Sequence, residues 1–112
     1  MTAALVVDDE PLIRILLRDA LEDLGLEVHE AADGKSGLAT LLSDSSIGLV
    51  VTDIAMPDMD GLTMLAHARK YRRDFMALTT SGHAEAPSGE AFLRKPYRIA
   101  ELKAKLTKMM MH

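Results

Sequence analysis

Four short motifs place carboxylates, hydroxyls and an ammonium group directly after apolar segments of the chain. In order, these motifs are Asp8-Asp9, Asp53, Thr80-Ser81-Gly82 and Lys95-Pro96. Each has an ordinary structural interpretation when it is taken alone, as a helix cap, a turn or a solvated surface lysine. Their shared position after apolar segments is what points to a common site.

If the apolar segments are neighbouring parallel strands, Asp8, Asp9 and Asp53 meet at one edge of a sheet. Three adjacent carboxylates repel one another unless they are protonated or neutralised. Mg²⁺ is a suitable partner, because it binds through one or two carboxylates together with water and phosphate oxygens. One carboxylate then remains as a nucleophile, while Lys95 and Ser81 can meet the oxygens of a transferring phosphoryl group. The motifs therefore predict Mg²⁺-dependent phosphoryl chemistry.

The elements that must position these motifs are visible as short apolar runs that alternate with longer amphipathic segments. Predicted strands cover residues 4–7, 27–31, 49–52, 75–80 and 91–93. Predicted helices cover residues 11–24, 35–42, 61–71 and 99–110. Strands separated by single helical crossovers form a parallel sheet with helices on both faces. The sequence thus predicts an α/β fold with its chemistry at the carboxyl ends of the strands.

The first helix shows the clearest helical periodicity. Its predicted buried stripe comprises Ile13, Leu16, Leu17, Ala20, Leu21 and Leu24. Gly25 is expected to end the helix. Leu12 and Ile15 fall outside this stripe, and they are either scattered surface hydrophobics or part of a contact for a partner. The last helix is predicted to bury Ile99, Leu102, Leu106 and Met109.

The crossover between the fourth and fifth strands is short. About nine residues, Gly82 to Glu90, separate the two strands, whereas a parallel crossover normally takes a dozen or more. Pro87 and two glycines in this segment also oppose a helix. We therefore expect the helix between these strands to be reduced to at most one turn.

Composition excludes several classes of protein. The chain has 112 residues, which suits one domain, and no cysteine, which excludes disulfides and cysteine-ligated metals. Its 17 acidic and 13 basic residues give a net charge of −4, so nucleic-acid binding is not expected. No apolar run approaches the roughly 20 residues of a membrane span. We expect a cytoplasmic protein without membrane or nucleic-acid partners.

These motifs together resemble the receiver domain of two-component response regulators. The segment 5–11, Leu-Val-Val-Asp-Asp-Glu-Pro, is similar to the acidic motif of that family, and the segment 52–61, Thr-Asp-Ile-Ala-Met-Pro-Asp-Met-Asp-Gly, is similar to its phosphoacceptor motif. Ser81-Gly82-His83 resembles the hydroxyl motif, and the segment 92–97, Phe-Leu-Arg-Lys-Pro-Tyr, resembles the lysine–proline motif. The resemblance covers almost the whole chain, residues 1–112, as a single receiver domain. It implies a flavodoxin-like, doubly wound, five-stranded parallel sheet of order 2-1-3-4-5, with helix four shortened or absent.

The resemblance also implies roles for individual residues. Asp53 would be the phosphoacceptor, and Mg²⁺ would be held by Asp9, Asp53 and the backbone carbonyl of Ala55, with Asp8 acting through a water molecule. Lys95 would contact the phosphoryl oxygens. Ser81 would be the hydroxyl that moves onto the phosphate, in preference to Thr80, and Phe92 the aromatic residue that changes rotamer with it. The Lys95–Pro96 peptide bond is often cis in such domains.

In this family the phosphoryl donor is a histidine kinase or a histidine phosphotransfer protein, and the domain signals to a downstream protein target. It catalyses only its own phosphorylation and dephosphorylation. The donor would dock beside the first helix and the loop after the fifth strand, where Pro11, Leu12, Ile15 and Tyr97 are the predicted contacts.

Three alternatives use the same residues differently. A metal-dependent phosphohydrolase usually needs an aspartate two residues after its nucleophile, where this chain has Ala55. A receiver-like module that never takes phosphate would not need Asp8, Asp9, Asp53, Ser81 and Lys95 together. A Rossmann nucleotide-binding domain would have a glycine-rich loop after the first strand, which this sequence lacks.

Overall fold

The computed structural model describes residues 3–111, which form a five-stranded parallel sheet with helices on both faces. The strands are β1 (Ala3–Val7), β2 (Glu27–Ala31), β3 (Ile47–Asp53), β4 (Met76–Ser81) and β5 (Ala91–Arg94). The helices are α1 (Pro11–Asp23), α2 (Gly34–Ser43), α3 (Gly61–Ala68) and α4 (Ile99–Met110). The strand order is β2-β1-β3-β4-β5, so the doubly wound, flavodoxin-like topology is confirmed.

The two central strands are buried on both faces, as their continuous apolar sequences predict. Every residue of β1 is buried, and all of β3 is buried except Gly48. Alternate residues of these strands enter two separate cores, one against α2 and α3 and the other against α1 and α4. Because both faces are covered, the strand ends are held firmly, and the polar residues that follow them have fixed positions.

Local sequence signals begin and end the helices. The carboxylates of Asp33 and Asp60 accept the main-chain N–H groups of Ser36 and Thr63, each at 2.7 Å, and so cap α2 and α3. After α1, Gly25 adopts a φ of +86°, the left-handed conformation that glycine allows at a helix end. Most predicted boundaries are within one residue, but β3 begins at Ile47, two residues before its predicted start, and α3 ends at Ala68 rather than at residue 71.

The expected loss of a helix between β4 and β5 is confirmed. Residues 82–90 contain bends and one turn but no helix. Two arginines pack beside this segment: Arg69, after α3, forms an ion pair with Glu90, and the Arg94 guanidinium lies 4.9 Å from the centre of the Phe92 ring. The two arginines thus attach the first residues of β5 and the end of this segment to their neighbours.

Two residues assigned to helical core stripes do not belong to the core. Leu16 is 50% exposed and Ile99 is 36% exposed. On a helical wheel Leu16 lies about 90° from the centre of the α1 stripe, so its burial depends on a neighbouring element. The adjacent end of α4 leaves a cleft at this point instead of closing on Leu16, and both side chains line that cleft.

Candidate functional site

The ends of β1 and β3 bring three carboxylates together. One oxygen from each of Asp8, Asp9 and Asp53 can be chosen so that all three lie within 4.8 Å of one another. β1 and β3 are neighbouring parallel strands, with Val7 paired to Thr52, and so the residues after these pairs meet at the same edge. The cluster predicted from the sequence is confirmed, and its all-oxygen ligand set suits a hard cation.

Asp8 is fully buried, and each of its polar groups has a partner. Its Oδ1 accepts the main-chain N–H of Glu10 at 2.9 Å, and its Oδ2 lies 3.3 Å from the Lys95 ammonium. Its own N–H donates to the Ala31 carbonyl at 3.2 Å, and its carbonyl accepts from the Arg14 guanidinium at 2.7 Å. Neither Asp8 nor Asp9 is the N-cap of α1. The N-cap residue is Glu10, and its side chain forms no capping hydrogen bond.

Lys95 bridges two of the carboxylates. Its Nζ lies 3.3 Å from Asp8 Oδ2 and 3.5 Å from Asp53 Oδ2. Burial works against the charged ammonium, but the charges of Asp8 and Asp53 outweigh it and raise the pKa of Lys95. The Lys95–Pro96 peptide bond is cis, as expected.

The surroundings of Asp53 disfavour its ionised form and so raise the pKa of its carboxyl group. Burial is the largest effect and raises the pKa of its carboxyl group; the Lys95 ammonium lowers it, and the Asp8 charge raises it again. The net direction is upward, so the ionised form of Asp53 is disfavoured in the metal-free protein. A cation or a covalent change at this carboxylate would relieve that penalty.

Ser81 ends β4 beside the acidic cluster, and its hydroxyl organises the loop that follows. The main-chain N–H groups of His83 and Ala84 donate to Ser81 Oγ at 3.1 and 2.9 Å. The Ala84 carbonyl in turn accepts from the Arg94 guanidinium at 2.6 Å. The serine hydroxyl is thus connected through Ala84 to the arginine that covers Phe92.

A cleft of about 700 Å³ opens over the site between α1, the loop after β4 and the loop after β5. Asp9, Asp53, Ala55, Ser81 and Lys95 line its polar side. Ile13, Leu16, Pro96, Tyr97 and Ile99 line its apolar side. Burial raises the pKa of the Tyr97 hydroxyl, so this group stays neutral at the edge of the cleft. The cleft is open enough to admit another molecule to Asp53.

The remaining predicted residues are less close to the cluster. Thr80 is fully buried and does not line the cleft, whereas Ser81 does. Phe92 is partly buried under Arg94, outside the cleft. Leu12 and Ile15 are 74% and 52% exposed on α1, and neither contributes to the cleft wall.

Sequence reasoning missed Leu16, Ile99 and Arg14. The first two line the cleft, although periodicity assigned them to the core. Arg14 contacts the carbonyl of Asp8, and the only sequence signal was a single arginine within the apolar segment 12–17. A main-chain acceptor leaves no trace in the residue types, so this contact needed the tertiary structure.

The fold and the site together define a doubly wound α/β domain with an acidic pocket at the switch point of its sheet. The sequence profile of the response regulator receiver domain family matches residues 4–107. The chain belongs to this family. Within residues 3–111, no helix combines the length and the apolar character needed to cross a lipid bilayer.

Named relatives occur both as separate proteins and as parts of larger ones. The chain is 33% identical to a probable chemotaxis protein CheY of Rhizobium etli, over 89% of this chain and 85% of that protein. It is 34% identical to the sensor kinase CckA of Brucella abortus, over 95% of this chain but 12% of that protein. The chain therefore spans about an eighth of this sensor kinase, and 22% of a DctD regulator of Pseudomonas aeruginosa.

Solved structures show the same fold. The receiver domain of the hybrid histidine kinase CckA superposes with a TM-score of 0.83 at 34% identity, over 98% of this chain and 99% of that one. The response regulator TrrA of Thermotoga maritima, solved in complex with Mg²⁺ and BeF, gives a TM-score of 0.86 at 32% identity, over 97% and 99%.

Proposed function

We propose that residues 1–112 form a single receiver domain that acts as a phosphorylatable switch, with Asp53 as the phosphoacceptor. The donor is a histidine kinase or a histidine phosphotransfer protein. The domain catalyses only the gain and loss of its own phosphoryl group. The observation that carries the proposal is the cluster of three carboxylates and the Lys95 ammonium, of which Asp9, Asp53 and Lys95 line an open cleft.

Asp53 fits the nucleophile better than its two neighbours. Asp8 is fully buried and both of its oxygens are engaged, so it has no free edge for attack. Asp9 is exposed, and the ion pairs of Lys95 within residues 3–111 are with Asp8 and Asp53 instead. Asp53 alone combines access from the cleft, contact with Lys95 and a disfavoured negative charge.

The donor set fits Mg²⁺. Asp9, Asp53 and the carbonyl of Ala55 would hold the ion directly, and Asp8 would act through a water molecule. All the available ligand atoms are oxygens, and the exposed position of Asp9 leaves room for the waters that Mg²⁺ retains. When bound, the ion would neutralise part of the negative charge of the carboxylates and of the incoming phosphoryl group.

In the transfer step, an oxygen of Asp53 forms a bond to phosphorus while the bond from phosphorus to the donor imidazole nitrogen breaks. The electron pair of the broken bond stays on that nitrogen. Lys95 stabilises the phosphoryl oxygens, because its ammonium is already held 3.5 Å from the attacking carboxylate. Because Lys95 is held in place by Asp8, little reorganisation is needed during transfer.

Incubation with acetyl phosphate and Mg²⁺, followed by measurement of the intact mass, tests the phosphoacceptor. The wild-type chain is expected to gain one labile phosphoryl mass, and Asp53→Asn none. Asp9→Asn should still be modified, but only at higher Mg²⁺ concentration, since it retains the nucleophile and loses a metal ligand. A normal adduct on Asp53→Asn would contradict the assignment.

We also propose that Pro11, Leu12, Ile15 and Tyr97 form the docking surface for the histidine-containing donor. Leu12 and Ile15 are 74% and 52% exposed on the first turns of α1, and Tyr97 borders the cleft. A donor helix lying on this surface is beside the opening to Asp53, as in-line transfer requires. Leu16, at 50% exposure, extends the same apolar surface into the cleft.

The docking test uses a phosphorylated histidine kinase that transfers to the wild-type chain, found by screening. Ile15→Glu is expected to slow this transfer tenfold or more, since about 1.4 kcal/mol of lost binding is a factor of ten. Modification by acetyl phosphate should not change, because that donor needs no docking surface. Leu42→Glu, which alters an apolar residue exposed on α2, is the matched control. Equal effects of Ile15→Glu on both donors would exclude the docking role.

Ser81 and Phe92 are proposed to transmit the phosphorylated state to a downstream protein. If Ser81 Oγ turns toward a phosphoryl oxygen, the N–H groups of His83 and Ala84 lose their acceptor. The loop can then shift, and the contact between the Ala84 carbonyl and Arg94 is weakened. The loop 82–90 would in this way replace the helix that carries the output surface in related domains.

Amide NMR spectra recorded before and after phosphorylation test this connection. The amides of His83, Ala84 and Arg94 should shift in the wild-type chain, and they should shift much less in Ser81→Ala after the same degree of modification. Unchanged amides in the phosphorylated wild-type loop would rule out the proposed route.

A further inference from the structure

Asp9 lacks side-chain support of its own. It is exposed, and among residues 3–111 its carboxylate has no hydrogen-bond or ion-pair partner. Asp8 and Asp53, by contrast, are both in contact with Lys95. The position of the Asp9 carboxylate therefore depends on the main chain that carries it.

The peptide group between Asp8 and Asp9 is held by a charged side chain. The Arg14 guanidinium donates to the Asp8 carbonyl at 2.7 Å, across the first turn of α1. This carbonyl and the N–H of Asp9 belong to the same planar peptide group, so fixing one fixes the orientation of the other. The Arg14 side chain is only 19% exposed, which limits competition from water for this contact.

Glu30 of the edge strand β2 holds Arg14 in turn. Its Oε1 lies 3.5 Å from Arg14 Nε, and its Oε2 accepts from Arg18 at 2.5 Å. The next residue, Ala31, accepts the N–H of Asp8. β2 thus supports both the amide and the carbonyl of Asp8, although it contributes no ligand to the acidic cluster.

We infer that Arg14, held by Glu30, is a positioning residue that sets the affinity and the selectivity of the acidic cluster for Mg²⁺. This inference rests on the proposed Mg²⁺ site. Mg²⁺ needs nearly ideal octahedral geometry at short distances, whereas Ca²⁺ accepts more ligands and a more flexible arrangement. Without the Arg14 contact, the peptide group between Asp8 and Asp9 is no longer held in one orientation. The affinity for Mg²⁺ should therefore fall more than the affinity for Ca²⁺.

For the substitution Arg14→Met, the charge effect and the positioning role predict opposite changes in Mg²⁺ affinity. Arg14→Met removes a positive charge close to a cation site, and the charge effect alone would tighten Mg²⁺ binding. The positioning role predicts that binding becomes weaker. Arg18→Met is the matched control, because it also removes a positive charge from α1 and an ion pair with Glu30, but Arg18 touches no group of the site.

Isothermal titration calorimetry with Mg²⁺ alone and with Ca²⁺ alone tests the inference on the unphosphorylated chain. Arg14→Met is expected to weaken Mg²⁺ binding at least fivefold and to lower the Mg²⁺ to Ca²⁺ affinity ratio, while Arg18→Met changes both by less than twofold. Circular dichroism checks that each variant is folded. If Arg14→Met does not fold, Arg14→Lys replaces it, because lysine keeps the charge and loses the guanidinium that reaches both partners.

The possible results distinguish a failure of the proposed magnesium site from a failure of the role assigned to Arg14. Absence of Mg²⁺ binding by the wild-type chain overturns the proposed magnesium site itself. Normal binding by the wild-type chain, with unchanged or tighter binding by the Arg14 variant and an unchanged ratio of the two metals, overturns the role of Arg14 alone.

Discussion

Replacement of Asp53 by asparagine should stabilise the metal-free domain while it removes the phosphoacceptor. At an effective dielectric constant of about 20, unit charges 4.8 Å apart repel by about 3.5 kcal/mol, and 4.8 Å is the outer limit for the chosen oxygens of Asp53 and its two neighbours Asp8 and Asp9. The Lys95 ammonium at 3.5 Å returns an attraction of about 4.7 kcal/mol. About 2 kcal/mol of repulsion remains, and solvent around the exposed Asp9 reduces it to roughly 1–2 kcal/mol.

Urea unfolding followed by circular dichroism in EDTA at pH 7 measures this effect. The free energy of unfolding of Asp53→Asn should exceed that of the wild-type chain by about 1–2 kcal/mol, which corresponds to a rise of about 4–8 °C in Tm. Asp19→Asn is the control, since it removes a negative charge from an exposed position on α1. It should change the stability by no more than about 0.5 kcal/mol.

The stability difference between Asp53→Asn and the wild-type chain should depend on pH and on Mg²⁺, because both change the negative charge of Asp53 or its neutralisation. The pKa of Asp53 is higher in the folded protein than in the unfolded chain. Ionisation of Asp53 therefore destabilises the fold at pH values above the folded pKa, and it has no effect at pH values below the ordinary carboxyl pKa. The advantage of Asp53→Asn should therefore disappear as the pH falls through this range. Mg²⁺ at ten times its Kd should stabilise the wild-type chain by about 1.4 kcal/mol and the variant by less. A variant that is less stable than the wild-type chain in EDTA, or a difference that persists at acid pH, would refute the reasoning.

Two further substitutions test the framework around the site. Arg72→Met removes a guanidinium that donates to three main-chain carbonyls at 2.7 to 3.1 Å, and urea unfolding should show a loss of about 2–4 kcal/mol; a loss below about 0.5 kcal/mol would show that these contacts contribute little. Gly61→Ala places a Cβ 2.2 Å from the Asp53 carbonyl oxygen, so it should cost about 1–3 kcal/mol and slow modification by acetyl phosphate. Gly82→Ala, whose added Cβ would have Lys95 Cβ as its nearest contact at 3.7 Å, is the matched control for the unfolding measurement and should leave the stability unchanged.

The sequence by itself determined the sheet, the acidic cluster and the missing crossover helix. Continuous apolar runs ended by Asp8 and Asp53 predict buried parallel strands with carboxylates at one edge, because burial on both faces leaves no polar alternation. The length of the segment 82–90 and its Pro and Gly content are local properties, and local properties are sufficient to exclude a helix. Strand order came from the family resemblance, and the structure confirms it.

Only the tertiary structure decided which apolar residues face the cleft and how the acidic pair is supported. Periodicity gives the direction in which Leu16 points but not whether α4 covers it, because that depends on how two helices separated by many residues pack together. The Arg14 contact with a main-chain carbonyl and the Ser81 contacts with two main-chain N–H groups have no signature in residue types, since every residue except proline offers the same groups. The raised pKa of Asp53 likewise depends on burial and on distances to Lys95 and Asp8 that exist only after the strands have assembled.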